Sequence, residues 1–321
     1  MSKNKPSEGG FKSKIGGQAL IEGILMRGPK RSVMAVRKKD GSIDISERTF
    51  KNIKEKYPIL KLPIIRGVAG FIESMTVGYK AMMDSAEISG YLDDEEIKKE
   101  NEKKDTGKLM TVIMIIAAVL AVILSVGLFI YLPSLAFKGV NYIAGGALSS
   151  LQSLFEGILK ITIFLGYMIA VSYMKDIKRV FQYHGAEHKT IFCYEAGEEL
   201  TVENVRTKGR FHPRCGTSFM ILMLIVSIFT TFILDWILPG LKTILWLRTI
   251  IKLLLIPVIC GIGYELIKIC GKHDNFITRI IAAPGLWIQR ITVKEPDDSM
   301  IEIAIAAMKE VIPENEDEAK W

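Results

Sequence analysis

Residues 109–132 run for 24 positions without a charged side chain. A bilayer core about 30 Å thick is crossed by about 20 apolar residues of helix, so this run is long enough to span it. It excludes a purely water-soluble fold and a disordered chain. Four Cys in 321 residues exclude a disulfide scaffold. Hydrophobic residues make up an ordinary 49% of the chain, so their segregation carries the information, not their number.

Three further apolar stretches follow. Residues 154–174 are interrupted by Glu156 and Lys160, Thr217–Leu238 carries Asp235 near its end, and Thr249–Ile267 contains Lys252, Pro257 and Glu265. The expectation is a membrane α-helical protein with about four transmembrane helices. Basic residues set its orientation. Residues 1–108 hold 22 Lys and Arg, residues 175–216 hold 8 and residues 271–321 hold 6, whereas the intervening connections contain only Lys138, Lys242 and Arg248. The positive-inside rule then places both termini and the 175–216 loop in the cytoplasm, with the helices in the inner (plasma) membrane. No apolar run opens the chain, so no secretory signal is expected and the first span would serve as an uncleaved anchor. The formal charge of +7 follows from this orientation; 16 acidic residues mixed among the basic ones of residues 1–108 speak against a nucleic-acid partner.

The polar segments read as follows. Residues 1–14 are a disordered tail by composition. Residues 15–108 form a cytoplasmic α+β region. Four Gly in Ile15–Pro29 argue against a plain helix there. Val33–Arg37 and Ser42–Ser46 flank an Asp40-Gly41 turn and predict a β-hairpin. Pro58 and Pro63 bracket an extended piece. Arg66–Ser89 has apolar residues at helical spacing, predicting a helix against the membrane or the domain. Residues 91–108 form a charged linker, and 109–270 the membrane domain. Residues 271–321 form an interfacial segment, broken at Pro284-Gly285, and an acidic tail with 6 basic and 10 acidic residues across the segment.

The chemistry concentrates in one loop. Five of the eight His and Cys residues fall between His184 and Cys215. His184, Glu187 and His188 have the H-x-x-E-H spacing of inverted zinc proteases. Residues i and i+4 of a helix share a face, so both imidazoles can reach one metal ion. Glu187 lies where it can act as a general base. His212 and Cys215 are candidates to complete the ligand set, with Cys193, Glu198, Glu199 and Glu265 as alternatives. Four ligands would make a structural site and three a catalytic one. Donor softness favours a divalent metal such as zinc. Cys260 and Cys270 read as inert residues of the fourth span, and His273 as interfacial. Glu156, Lys160, Lys252 and Asp235 are ionisable groups within spans, for which snorkelling to the outer surface and a transport path are the competing explanations.

Ile15-Gly-Gly-Gln-Ala-Leu-Ile-Glu-Gly-Ile-Leu-Met-Arg-Gly-Pro29, Tyr183-His-Gly-Ala-Glu-His-Lys189, Phe211-His-Pro-Arg-Cys-Gly-Thr-Ser-Phe219 and Pro284-Gly-Leu-Trp-Ile-Gln-Arg-Ile-Thr292 with Glu295-Pro-Asp-Asp298 resemble the YqhQ family of bacterial multispanning membrane proteins, from about residue 15 to residue 308. The resemblance implies a metal-dependent enzyme, on the same His and Glu residues, and brings no substrate. In its Gly-rich segment Gln18 and Glu22 stand out as polar groups of a functional loop or of a packing turn.

Three functions follow. The leading one is a metal-dependent, hydrolase-like enzyme at the cytoplasmic membrane surface, with metal on His184, His188, His212 and Cys215 and Glu187 as base. Its substrate would be membrane-associated, since Cys215 lies two residues from a span. The second is a membrane scaffold or assembly factor for a protein partner, with a structural metal. The third is a small transporter using Glu156, Lys160, Lys252 and Glu265.

Overall fold

The structure is a computed structural model. It describes residues 10–49, 57–91, 107–242, 244–273 and 275–319. Most of the expected tail (1–9) and of the charged linker (92–106) lies outside the described residues.

The N-terminal region is a four-stranded antiparallel sheet in the order β1 (Gly16–Leu20), β2 (Gly23–Arg27), β3 (Ser32–Arg37), β4 (Ile43–Arg48). The Asp40-Gly41 hairpin joins β3 to β4, with Gly41 at φ +86°. The Gly-rich segment forms a second hairpin, β1–β2, closed by Ile21-Glu22 between the Leu20–Gly23 pair. Glu22 adopts a positive φ of 50° in that turn. Side chains alternate across the sheet. Ile24, Met26, Val33 and Ala35 enter one core and Leu25, Met34 and Val36 another. Both faces are covered, which is why β2 and β3 are apolar without alternation. Edge strand β4 does alternate in exposure.

Helix α1 (Ile65–Ile88) covers the second face through Val77 and Ala81. A short 3-10 turn, Pro58–Lys61, precedes it where an extended piece was expected. The first apolar run is helical over α2 (Gly107–Val126), a π-helical turn at Gly127–Tyr131 and α3 (Leu132–Ile143). Helix α4 (Gln152–Ser172) leads directly into α5 (Lys175–Glu195), followed by the short α6 (Val202–Arg206). Helix α7 (Gly216–Ile237) is the third apolar helix. The fourth is bent by 44° between α8 (Leu245–Leu254) and α9 (Ile256–Lys272), with Pro257 in the first turn of α9. Among the described residues, three helices are thus long and apolar enough to cross a membrane, or four if the bent pair is one span. They expose the surface a bilayer would cover: Leu124 is 70% exposed, Phe229 65% and Trp246 66%.

Helix α10 (Phe276–Thr292) is continuous through Pro284. The break expected there is overridden by packing: a Cβ on Gly285 would stand 2.5 Å from the Ser218 side chain, so Gly lets α10 and α7 close together. The acidic C-terminal stretch is no free tail. Helix α11 (Asp298–Val311) buries Met300, Ile301, Ile303, Ala304 and Met308 against β2, β3 and α5, and α12 (Glu316–Ala319) follows. Its acidic residues lie on the opposite face of an amphipathic helix. Residues 11–14, polar by composition, are also held: the Phe11 ring meets Tyr194 edge-on at 5.1 Å and the Lys14 amide donates to the Ala319 carbonyl.

Candidate metal centre

Helix α5 crosses between the sheet and the membrane-length helices, and its sequence positions the site. His184, Glu187 and His188 share one face of it, as the i, i+3, i+4 spacing requires. Gly185, a weak helix residue, is demanded by tertiary contact. A Cβ there would lie 2.0 Å from the Lys294 carbonyl oxygen, where the chain between α10 and α11 runs along the helix. That connecting segment is tied to α5 by the Lys294 amide, which donates to the Phe181 carbonyl at 2.9 Å.

One nitrogen from each of His184 and His188 and the Cys215 sulfur all lie within 4.8 Å of one another. The roles of the nitrogens follow from their partners. His184 Nδ1 is 3.0 Å from the Thr292 carbonyl and His188 Nδ1 is 2.6 Å from the Arg210 carbonyl. A carbonyl only accepts, so each Nδ1 carries the proton and each Nε2 keeps a lone pair. His184 Nε2 faces Cys215 Sγ at 3.1 Å, and the sulfur is also 3.1 Å from the Thr217 hydroxyl. Cys215 caps the N-terminus of α7. The site is thereby fixed at the ends of two apolar helices, α4 through α5 and α7 through its cap.

The three donors line a pocket of about 230 Å³ with Glu187, His212, Arg214 and residues 13–17. Glu187 is buried, which raises its affinity for a proton; His184 and the Gly17 amide, which donates to the carboxylate, oppose that shift. Gly17 is dictated by this carboxylate, because a Cβ there would stand 2.9 Å from Glu187 Cγ and Cδ. The Gly-rich hairpin therefore lays its edge strand against the chemical face of α5.

The remaining candidates are placed differently. His212 is close, its ring 5.5 Å from that of His188, yet it is not in the three-donor group. Its nitrogens meet Arg214, whose amide lies 3.3 Å from Nδ1 and whose Nη2 lies 3.2 Å from Nε2. Burial and then the Arg214 charge push its pKa well below the ordinary value, keeping it neutral. Arg214 is paired in turn with Glu195. Cys193 is buried with its sulfur toward the Glu198 and Glu199 carbonyls, and burial raises its pKa to about 11. Glu198 pairs with Lys208.

Gln18 packs against α1, where a Cβ on Gly78 would stand 2.6 Å from its amide. Glu22 takes a two-point contact from Arg179 at 2.5 and 2.6 Å and a hydrogen bond from the Tyr183 hydroxyl at 3.1 Å, clamping the β1–β2 turn to α5. Glu265 accepts from Arg66 Nε at 2.6 Å and joins α9 to α1.

Sequence reasoning missed the supporting shell. The Gln289 amide donates to the His212 carbonyl at 2.8 Å and accepts from the His212 amide at 2.7 Å, pinning the loop that carries Cys215. Gln289 was visible as a polar residue within an apolar helix. The Thr292 and Arg210 carbonyls had no signal, since every residue has a carbonyl.

This is a protein with several membrane-length apolar helices and a two-imidazole, one-thiol cluster, buried at His188 and Cys215 and half-buried at His184, beside an antiparallel sheet. It belongs to the family described as "Protein of unknown function (DUF1385)", whose model matches residues 62–314. It is 37% identical over 300 residues to the uncharacterized protein YqhQ of Bacillus subtilis (strain 168), covering 92% of each chain. No solved structure matches it.

Proposed function

We propose that the chain is a metal-dependent, hydrolase-like enzyme of the bacterial plasma membrane, with its site on the cytoplasmic side. The observation that carries this reading is the two imidazoles whose Nδ1–H groups are both held by backbone carbonyls, leaving each Nε2 its lone pair, with His184 Nε2 3.1 Å from the Cys215 thiol. That is the outer-shell arrangement metal-ligating histidines adopt. Two N donors and one S donor suit zinc. Tetrahedral bonds of 2.0–2.3 Å put donors about 3.3–3.8 Å apart, within reach of a group whose donor atoms lie inside 4.8 Å. Three donors leave one position for a reactant, which favours a catalytic over a closed structural site.

When bound, the metal would supply Lewis acidity toward a carbonyl or phosphoryl oxygen. The chain's own residues do the rest. Glu187, buried in the pocket wall with a raised proton affinity, accepts a proton from the attacking nucleophile and returns it to the leaving group. Neutral His212 packs beside His188 and fills space without adding charge. The orientation rests on the basic residues flanking the apolar runs. Cys215 at the N-terminus of the apolar helix α7 keeps the site beside the bilayer, which favours a membrane-associated substrate.

Metal analysis of protein purified in detergent tests this. Wild type should carry stoichiometric zinc, lost in His184→Ala, His188→Ala and Cys215→Ser and kept in Glu187→Gln. Metal-free wild type would refute the metal. Glu187→Gln that keeps metal, fold and full function in the cell would reduce the metal to a staple in a scaffold.

The 3.1 Å contact between His184 Nε2 and Cys215 Sγ favours one second reading, a cysteine nucleophile with His184 as base. It predicts metal-free wild type in which Cys215 is alkylated faster than in His184→Ala.

A further inference from the structure

The other ionisable cluster lies near the opposite ends of the apolar helices. Glu156 and Lys160 of α4, Asp235 of α7, and Arg248 and Lys252 of α8 are all buried. Arg248 bridges Asp235, at 3.1 and 2.7 Å, to Glu156, and Lys252 Nζ reaches Glu156 at 2.7 Å. Ser134 and Gln152 donate to Glu156 at 2.9 and 3.0 Å, and Ser153 donates to Asp235. Both carboxylates are fully engaged. Lys160 is not. It is 7% exposed, and among the described residues no carboxylate pairs with it. Three cations thus face two carboxylates in a region too apolar to hold a spare charge cheaply.

Lys160 and Lys252 both line a cleft of about 140 Å³. Its walls are Phe129 and Ile130 of the π-helical turn, Ser227 and Thr230 of α7, and Leu255 and Ile256 at the break of the fourth helix. The π-helical turn and the break of the fourth helix therefore converge on one cavity, and π-turns of this kind frequently mark functional sites. Ile256 is 44% exposed, so the cleft reaches the surface that lipid would touch. Liquid water occupies about 30 Å³ per molecule, so the volume suits a small charged group such as a phosphate or carboxylate.

We propose that this cleft binds the oxyanion of an acidic amphiphile, with the acid group between Lys160 and Lys252 and the chain leaving past Ile256 into the bilayer. The ligand supplies the negative charge the protein lacks there. The apolar walls and the rim at Ile256 favour a lipid as carrier, and a free oxyanion of the same chemistry would use the same two lysines.

The full chain in nanodiscs of phosphatidylcholine with a minority of phosphatidylglycerol provides the test, read by native mass spectrometry after detergent extraction. Wild type should retain phosphatidylglycerol in preference to phosphatidylcholine. Lys160→Met should retain about tenfold less, and Lys160→Arg should restore it. Ser227→Leu, which fills the cleft without touching the charges, should lose it too. In a second arm, inorganic phosphate is added during thermal unfolding. A rise in Tm for wild type but not Lys160→Met, without lipid retention, assigns the site to a free oxyanion. Equal retention and equal response to phosphate in wild type and Lys160→Met would overturn the proposal. Should Lys160→Met fail to fold, undiminished retention by a folded Ser227→Leu would do the same.

Discussion

Two clusters of ionisable side chains sit toward opposite ends of α7, one at its cap, Cys215, and one near its end, Asp235. About 20 residues of helix, roughly 30 Å, separate them. The clusters look alike in sequence, as polar groups where apolar ones are expected, and differ in spare valence. Around Glu156, Asp235, Arg248 and Lys252 each carboxylate already has its cations and hydroxyl or amide donors. That network is closed, and what it does is join α3, α4, α7 and α8. Around His184, His188 and Cys215 the backbone takes one nitrogen of each ring and leaves the other nitrogen and the thiol facing each other across a pocket. Function is to be sought where valence remains. By that criterion the closed network is architecture, apart from the edge where Lys160 and Lys252 line a cleft.

The contrast can be broken by substitution. The largest effect is expected for Arg248→Met. It leaves Asp235 buried without its ion-pair partner and Glu156 with Lys252 alone, a loss of about 3–5 kcal/mol for a severed buried pair. Thermal unfolding in detergent should show collapse of the fold, while an unaltered Tm would contradict a network that binds the helices together. Gly185→Ala should cost about 1–3 kcal/mol, since its Cβ would collide with the Lys294 carbonyl at 2.0 Å. A stable Gly185→Ala protein would mean the segment after α10 is not clamped to α5.

Lys252→Met should be milder, about 1–2 kcal/mol, because Glu156 keeps Arg248, Ser134 and Gln152. A loss matching that of Arg248→Met would show that charge balance, not the Arg bridge, holds the network. The smallest effect is Glu22→Gln. Its contacts to Arg179 are half-exposed, so it should lose about 1 kcal/mol or less, seen as a slight drop in Tm. A large drop would promote the β1–β2 turn from clamp to keystone.

Much of this was legible in the sequence. The apolar runs at 109–132 and Thr217–Leu238 gave helices because length and composition suffice. The H-x-x-E-H spacing put two imidazoles and Glu187 on one helix face by periodicity alone. Asp40-Gly41 marked its hairpin through turn chemistry. Other features were set by contacts distant in sequence. Gly17 and Gly185 read as flexible positions, whereas Glu187 and the Lys294 carbonyl require their missing side chains. Glu22 read as part of a functional loop or of a packing turn, and its contacts to Arg179 and Tyr183 of α5 could not be read from spacing. The C-terminal segment read as an acidic tail by composition, yet its apolar residues face the sheet. The separation of His212 from the donor group depends on Arg214 and Gln289, which periodicity cannot place.

The central claim is that spare valence at His184, His188 and Cys215 exists to hold a metal. Its most direct test is the metal content of the purified full chain, beside that of Cys215→Ser, by elemental mass spectrometry. The account predicts one zinc per chain in wild type and a loss of it in Cys215→Ser with the fold retained. Wild type without stoichiometric metal after purification free of chelators, or Cys215→Ser with undiminished zinc, would contradict it.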